Sequence, residues 1–188
     1  VVARGQATAE QIQHKMVGRN VNNEYYRQPR QKPYDASAEV LRMEGVGLPG
    51  RIRDISLTLH RGEVLCLVGT EGSGREAILR TIYGMRTPIE GRVTIKGQPV
   101  TRFTPQEAVA RGVGYVPRER KIEGIVAGMN VYENMTLSQM GHYSRAGVLN
   151  VAAEKALARD WIAKLSIKAH SEFADCGTLS GGNQQKVV

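Results

Sequence analysis

The run Val64-Leu65-Cys66-Leu67-Val68 leads straight into Gly69-Thr70-Glu71-Gly72-Ser73-Gly74 and then into Ile78, Leu79, Ile82 and Tyr83 at helical spacing, closed by Gly84. Five consecutive apolar residues bounded by turn chemistry read as a strand covered on both faces, the central strand of an α/β sheet. Strand, glycine loop and helix in that order set backbone N–H groups and a helix start against a polyphosphate. Glycine suits the loop because a side chain would block close approach or forbid positive φ. Gly69 and Gly74 stand first and sixth in the frame of a phosphate-binding loop, with the cation Arg75 seventh and Glu76 eighth. A tight strand-to-helix connection with no ligand is the plainer alternative.

Two positions depart from that frame. Arg75 replaces the usual lysine with a planar, bulkier cation. Glu76 stands where a Ser or Thr hydroxyl would help hold Mg²⁺; a carboxylate can bind the metal but repels the phosphates the metal bridges. Glu71 brings a second negative charge to the loop. The expectation is a nucleotide site that is weakened, altered or uncoupled from fast hydrolysis.

The second motif is Leu179-Ser180-Gly181-Gly182-Asn183-Gln184-Gln185-Lys186. Leu-Ser-Gly-Gly-x-Gln arises by chance in roughly one chain in several thousand of this length. Its chemistry suits an anion, since a serine hydroxyl and two glycine amides converge where a helix begins. A glycine cap between helices is the alternative without function.

Elsewhere the pattern gives organisation. Thr8 to Met16 reads as a helix, and Asn20 to Ser37 has linker composition, including Gln28-Pro29-Arg30-Gln31-Lys32-Pro33 and the tyrosines Tyr25, Tyr26 and Tyr34. Val40, Leu41 and Met43, then Ile55, Leu57 and Leu59, read as strands with one buried face. Gly91 to Gly97 reads as a short strand bounded by glycines, with Gln98-Pro99-Val100 starting the return. Thr104-Pro105-Gln106-Glu107 forms a capping box before a short helix closed by Gly112, and Val113 to Val116 reads as a further strand. Asn130 to Met140 and Val151 to Leu165 are helical in pattern, and the i, i+4 stripe Leu157, Trp161, Leu165 places Trp161 in the core.

Composition narrows the classes. The apolar runs fall far short of the roughly 20 residues of a membrane-spanning helix, and no secretion signal pattern is present. Cys66 and Cys176 have neither the number nor the spacing of a disulfide framework or zinc site, and a reducing cytosol is the default. The formal charge of +8 comes from Lys and Arg spread along the chain, which favours a solvated basic surface over a nucleic-acid groove.

With both motifs in order, the sequence resembles an ABC-type ATP-binding domain, most closely the second of two such domains in the single-chain ATPases of bacterial monosaccharide importers. Besides the two motifs, the likeness rests on Arg120-Lys121-Ile122-Glu123-Gly124-Ile125-Val126, Val131-Tyr132-Glu133-Asn134-Met135, Tyr143-Ser144-Arg145-Ala146-Gly147 and Met16-Val17-Gly18-Arg19. It implies an α/β P-loop NTPase fold of ABC type, with an antiparallel β subdomain and a helical subdomain, incomplete at the C-terminus. By the same likeness residues 1–22 are the tail of a preceding ABC domain, 23–37 a linker and 38–188 the second domain, cut after its signature.

The resemblance implies an ATP-binding, energy-coupling subunit that imports a simple sugar from the cytoplasmic face of the inner membrane. Its partners would be the first ABC domain, the permease subunits and, indirectly, a periplasmic sugar-binding protein, with no nucleic acid. ATP would be contacted by Gly69, Thr70, Glu71, Gly72, Ser73, Gly74, Arg75 and Glu76 at one site and by Leu179, Ser180, Gly181, Gly182, Asn183 and Gln184 at the other, with Mg²⁺ near Glu76. Arg118 falls where many relatives carry a glutamine that contacts magnesium, and no adenine-stacking aromatic occurs between Val46 and Arg51. No catalytic base is assigned, and His14, His60, His142 and His170 match no switch position. The alternative is a non-hydrolytic regulatory domain that donates its signature to a catalytic partner.

Overall fold

The computed structural model describes residues 33–50 and 52–188. The helix expected over Thr8 to Met16 and the linker up to residue 32 lie outside them. The chain divides into two packed units, one through Arg111 and the other from Gly112 to Val188.

The first unit is built on an antiparallel sheet of order β2-β1-β3-β4, with β1 at Asp35–Gly47, β2 at Ile55–Arg61, β3 at Glu90–Ile95 and β4 at Gln98–Pro99. Alternation on β1 drives it: Leu41 pairs with Ile95 and Met43 with Val93, and all four side chains are buried. The register then slips between Glu44 and Gly47 at a bulge where Gly45 has φ +56. One extra residue there switches the buried phase from odd to even positions, so Val46 and Leu48 join the core. Opposite the bulge, a Cβ on Gly91 would run into the carbonyls of Glu44 and Gly45, so only glycine fits. Lys96-Gly97, both at positive φ, form the two-residue turn from β3 to β4.

Two helices complete this unit, α1 at Arg75–Ile82 and α2 at Pro105–Ala110. Half of the expected capping box forms at α2. Thr104 Oγ1 accepts from the Glu107 amide at 3.2 Å, but the Glu107 carboxylate pairs with Arg111 at 2.7 Å, one turn along, instead of returning to the cap. On α1 the buried side chain is Thr81, whose hydroxyl donates to the Ala77 carbonyl, while Leu79 is exposed. The predicted stripe is therefore rotated on the helix.

The two strands expected at Val64–Val68 and Val113–Val116 do not form. Neither segment enters a ladder, and Val64 and Val68 are 94% and 89% exposed. The reason is that a strand buried on both faces exists only with neighbours on both edges, and no described residue hydrogen-bonds to 64–68 as a strand.

The second unit opens with a π-turn, Arg120–Gly124, and continues with α3 at Val131–Thr136, a 3₁₀ turn at Leu137–Gln139 and α4 at Met140–Tyr143. A small hairpin follows, β5 at Ser144–Arg145 and β6 at Val148–Leu149, then α5 at Val151–Lys164, a 3₁₀ turn at Cys176–Thr178 and α6 at Gly181–Val187. Ile125, Val131, Ile167, Ala174, Cys176 and Val187 make its core. Residues 172–176 are strapped to 129–132 by backbone bonds such as Val131 N–H to Ala174 C=O at 3.0 Å and Cys176 N–H to Met129 C=O at 3.1 Å.

Trp161 is a correction to the core expected from spacing. It is 42% exposed, with the Lys164 ammonium 5.1 Å from its ring, and with Leu157 and Leu165 it lines an open groove. α5 instead buries Glu154 and Ala158, also an i, i+4 pair, because Glu154 finds a polar partner in Thr136 of α3 at 2.8 Å. No helix among the described residues is long and apolar enough to cross a membrane.

Candidate functional site

Gly69 to Gly74 form an exposed turn that ends on α1. Gly72 and Gly74 sit at φ +78 and +93, the left-handed region where side chains are strained, and Gly74 is the N-cap of the helix. A Cβ at Gly74 would also meet Ile52 Cδ1 at 2.5 Å, and one at Gly69 would meet Ser73 Oγ at 2.5 Å. The turn closes by Ser73 N–H to Thr70 C=O at 3.2 Å, and the first helical bond is Ile78 N–H to Gly74 C=O at 3.1 Å. The amides of Arg75, Glu76 and Ala77 come before that bond and have no partner within the helix.

The charged side chains of the loop are engaged locally. Arg75 Nη1 donates back to the Thr70 carbonyl at 3.2 Å. Glu76 Oε1 accepts from Arg80 Nη2 at 2.8 Å and Nε at 3.1 Å, an i, i+4 pair along α1. A polyphosphate fits this arrangement: the three amides have no helical partner, Thr70 to Ser73 are exposed and Arg75 stands at the first helical position. Magnesium on Glu76 fits less well, because the carboxylate is held by the Arg80 guanidinium.

The signature segment combines one anchored residue with an open loop. Leu179 packs against the core of its unit, and its N–H donates to the Cys176 carbonyl at 3.3 Å. Ser180 and Gly182 are exposed and Gly181 is half-buried. α6 begins with the Asn183 and Gln184 amides both donating to the Ser180 carbonyl at 2.9 Å, so the Gly181 and Gly182 amides precede the helical bonds. Asn183 Nδ2 donates to Ser180 Oγ at 2.9 Å, and Asn183 Oδ1 accepts from the Lys168 amide at 3.0 Å. Ser180 Oγ accepts this bond and keeps its own proton to donate. The result is three donors from Ser180 to Gly182, one hydroxyl and two amides.

Gln184 is only 4% exposed, and its Nε2 donates to the Cys176 and Gly177 carbonyls, both at 3.3 Å. Its role is internal, tying α6 to the turn before it. Cys176 is fully buried, and burial pushes its thiol pKa up. Arg118 is exposed, with Nε 3.8 Å from the Glu119 carboxylate. Sequence reading missed the role of Arg120, whose guanidinium lies against Gly181 and whose Nε faces Gln184, 64 residues on; nothing in the spacing could have shown it.

A phosphate-type glycine loop opening one helix and a Leu-Ser-Gly-Gly loop opening another define an ATP-binding cassette. Residues 52–188 match the ABC transporter family, and the chain belongs to it. Among relatives, the ribose import ATP-binding protein RbsA of Jannaschia sp. (strain CCS1) is 43% identical over 173 residues, 92% of this chain and 33% of its own length. An RbsA of Agrobacterium fabrum is 41% identical over 95% of this chain and 34% of its own length. The chain thus spans about a third of the relatives it matches. Among solved structures, a dimeric ATP-binding cassette in a post-hydrolysis state bound to ADP and Pi covers 78% of this chain and 66% of its own, with TM-score 0.65 and 21% identity. A Clostridium perfringens subunit of the cbiONQ transporter complex covers 80% of this chain and 59% of its own, with TM-score 0.60 and 16% identity. Both share the fold.

Proposed function

We propose that this chain is part of the ATP-binding subunit of a sugar importer, with its two loops serving two different ATP molecules. The observation that carries the reading is the signature: an exposed serine hydroxyl, held at its oxygen by Asn183, beside two amides with no helical partner. Those groups donate hydrogen bonds and carry no charge, which suits phosphate oxygens of an ATP held by another domain's glycine loop. Ribose is the natural first candidate for the sugar, since the similar RbsA proteins are named for ribose import. On this reading residues 1–22 end a first ABC domain, 23–37 link it to the second with Asp35 to Ser37 already running as the start of β1, and permease subunits hold the assembly at the cytoplasmic face of the membrane. Nucleic acid has no place in it.

ATP supplies the phosphoanhydride bond that is broken. This chain's residues bind and orient: the amides of Arg75, Glu76 and Ala77 and the Arg75 guanidinium toward one nucleotide, Ser180 to Gly182 toward the other. Magnesium accompanies the nucleotide, and a ligand role for Glu76 requires its pair with Arg80 to open.

The two sites are then unequal. Arg75 bent onto Thr70 and Glu76 closed onto Arg80 favour a slow or non-hydrolytic site at Gly69–Glu76, beside a competent one completed by the signature. In single-turnover hydrolysis by the full-length protein, Ser180→Arg is expected to abolish the fast phase, because a bulky cation would fill the phosphate position. A fast phase that survives Ser180→Arg removes the signature assignment, and equal fast rates at both sites remove the inequality.

A further inference from the structure

The turn Arg120–Gly124 rests against both ends of α6. At the start of the helix, the Arg120 guanidinium covers the Cα of Gly181: a Cβ there would collide with Nη2 and lie 3.4 Å from Cζ. Arg120 Nε also points at Gln184 Oε1, 3.4 Å away. At the end of the helix, a Cβ on Gly124 would be 3.0 Å from Val188 Cγ2 and 3.1 Å from Pro117 Cγ, so the turn is seated closely there as well. The turn is closed by Ile125 N–H to the Arg120 carbonyl at 2.9 Å.

The chemistry of the contact is specific. The buried Gln184 amide is oriented by its two carbonyl acceptors, nitrogen toward Cys176 and Gly177, which leaves its oxygen for Arg120. Among the described residues Arg120 makes no ion pair; its side chain meets a neutral amide and a bare glycine backbone. What matters at such a contact is the flat guanidinium and its Nε–H, which an ammonium cannot reproduce.

We infer that Arg120 is a positioning residue for the signature, holding α6 through Gln184 and Gly181 so that Ser180, Gly181 and Gly182 present their donors together. This rests on the signature reading above. It also links the segment after Pro117, which carries Arg118, to the signature, so a displacement of one is transmitted to the other.

The test is steady-state ATP hydrolysis and thermal melting of the full-length protein. Arg120→Ala is expected to lower kcat by about tenfold and change KM by less than about threefold. The melting temperature should stay at the wild-type value. Arg120→Lys should lose as much as Arg120→Ala, although it keeps the charge. The double variant Arg120→Ala/Gln184→Ala should lose no more than the worse single variant, since both remove the Arg120–Gln184 contact through which α6 is held. If Arg120→Ala yields little folded protein, Arg120→Met keeps the aliphatic stem and carries the same expectation. Wild-type turnover in Arg120→Ala or Arg120→Met, full rescue by Arg120→Lys, or losses that multiply in the double variant would overturn the inference. Ser180→Arg run alongside separates the two failures: if it stays active the signature reading itself is wrong, and if it is dead while Arg120→Ala is normal only the positioning role falls.

Discussion

Thr136 and Glu154 meet inside the second unit, 1% and 5% exposed, with Thr136 Oγ1 2.8 Å from the carboxylate. A buried carboxylate that loses its partner pays the desolvation of an unsatisfied group. Thr136→Val keeps the shape and removes the hydroxyl, so it should lower unfolding free energy by about 1–3 kcal/mol, read from denaturant melts. A change smaller than about 0.5 kcal/mol would show that Glu154 finds another partner. At this scale the glycine positions were legible in the sequence, because a positive φ at Gly72 and Gly74 follows from the motif. The local engagement of Arg75 and Glu76 was not: which carbonyl or guanidinium a long side chain reaches depends on rotamers that no spacing encodes.

At the scale of elements, α5 is tied to the segment before the signature by Arg159 and Glu172. Arg159 Nε and Nη2 donate to Glu172 Oε1 at 2.8 and 2.6 Å, and this hydrogen-bonded guanidinium holds the Glu172 pKa below its ordinary 4.5. A lowered folded-state pKa means the unfolded chain takes up the proton first. The stabilisation is complete above pH 4.5 and is lost as pH falls through the lower, folded value. Arg159→Met should therefore weaken the fold at neutral pH and flatten its decline on acidification, as followed by thermal melting between neutral and acid pH. A parallel decline in wild type and variant would mean the pair contributes nothing to acid sensitivity. Helix existence was readable from caps and period, as at Thr104-Pro105 and over Val151–Lys164. Helix facing was misread: the Leu157, Trp161, Leu165 stripe has the same period as the Glu154, Ala158 pair, and only packing against α3 chose between them.

For the whole molecule, the two cysteines report on how each unit is covered. Cys66 is exposed in the unpaired run Val64–Val68, whereas Cys176 is buried with its thiol pKa raised. Alkylation of the folded 188-residue chain at neutral pH should label Cys66 and spare Cys176. In the full-length protein Cys66 labelling should slow if further strands cover the run, and an unchanged rate would mean that it stays uncovered. The sequence by itself carried the likeness to the ABC class through its two motifs, and the half-buried strands β1 to β3, both glycine-bearing loops and the helices they open through local steric and periodic rules. Tertiary structure alone decided the shift of buried phase at Gly45, the exposure of Val64 to Val68, the turn of α5 and the seat of Arg120 on Gly181. Each of those depends on what lies across from a residue in space, and the energy of burial belongs to pairs of surfaces far apart along the chain.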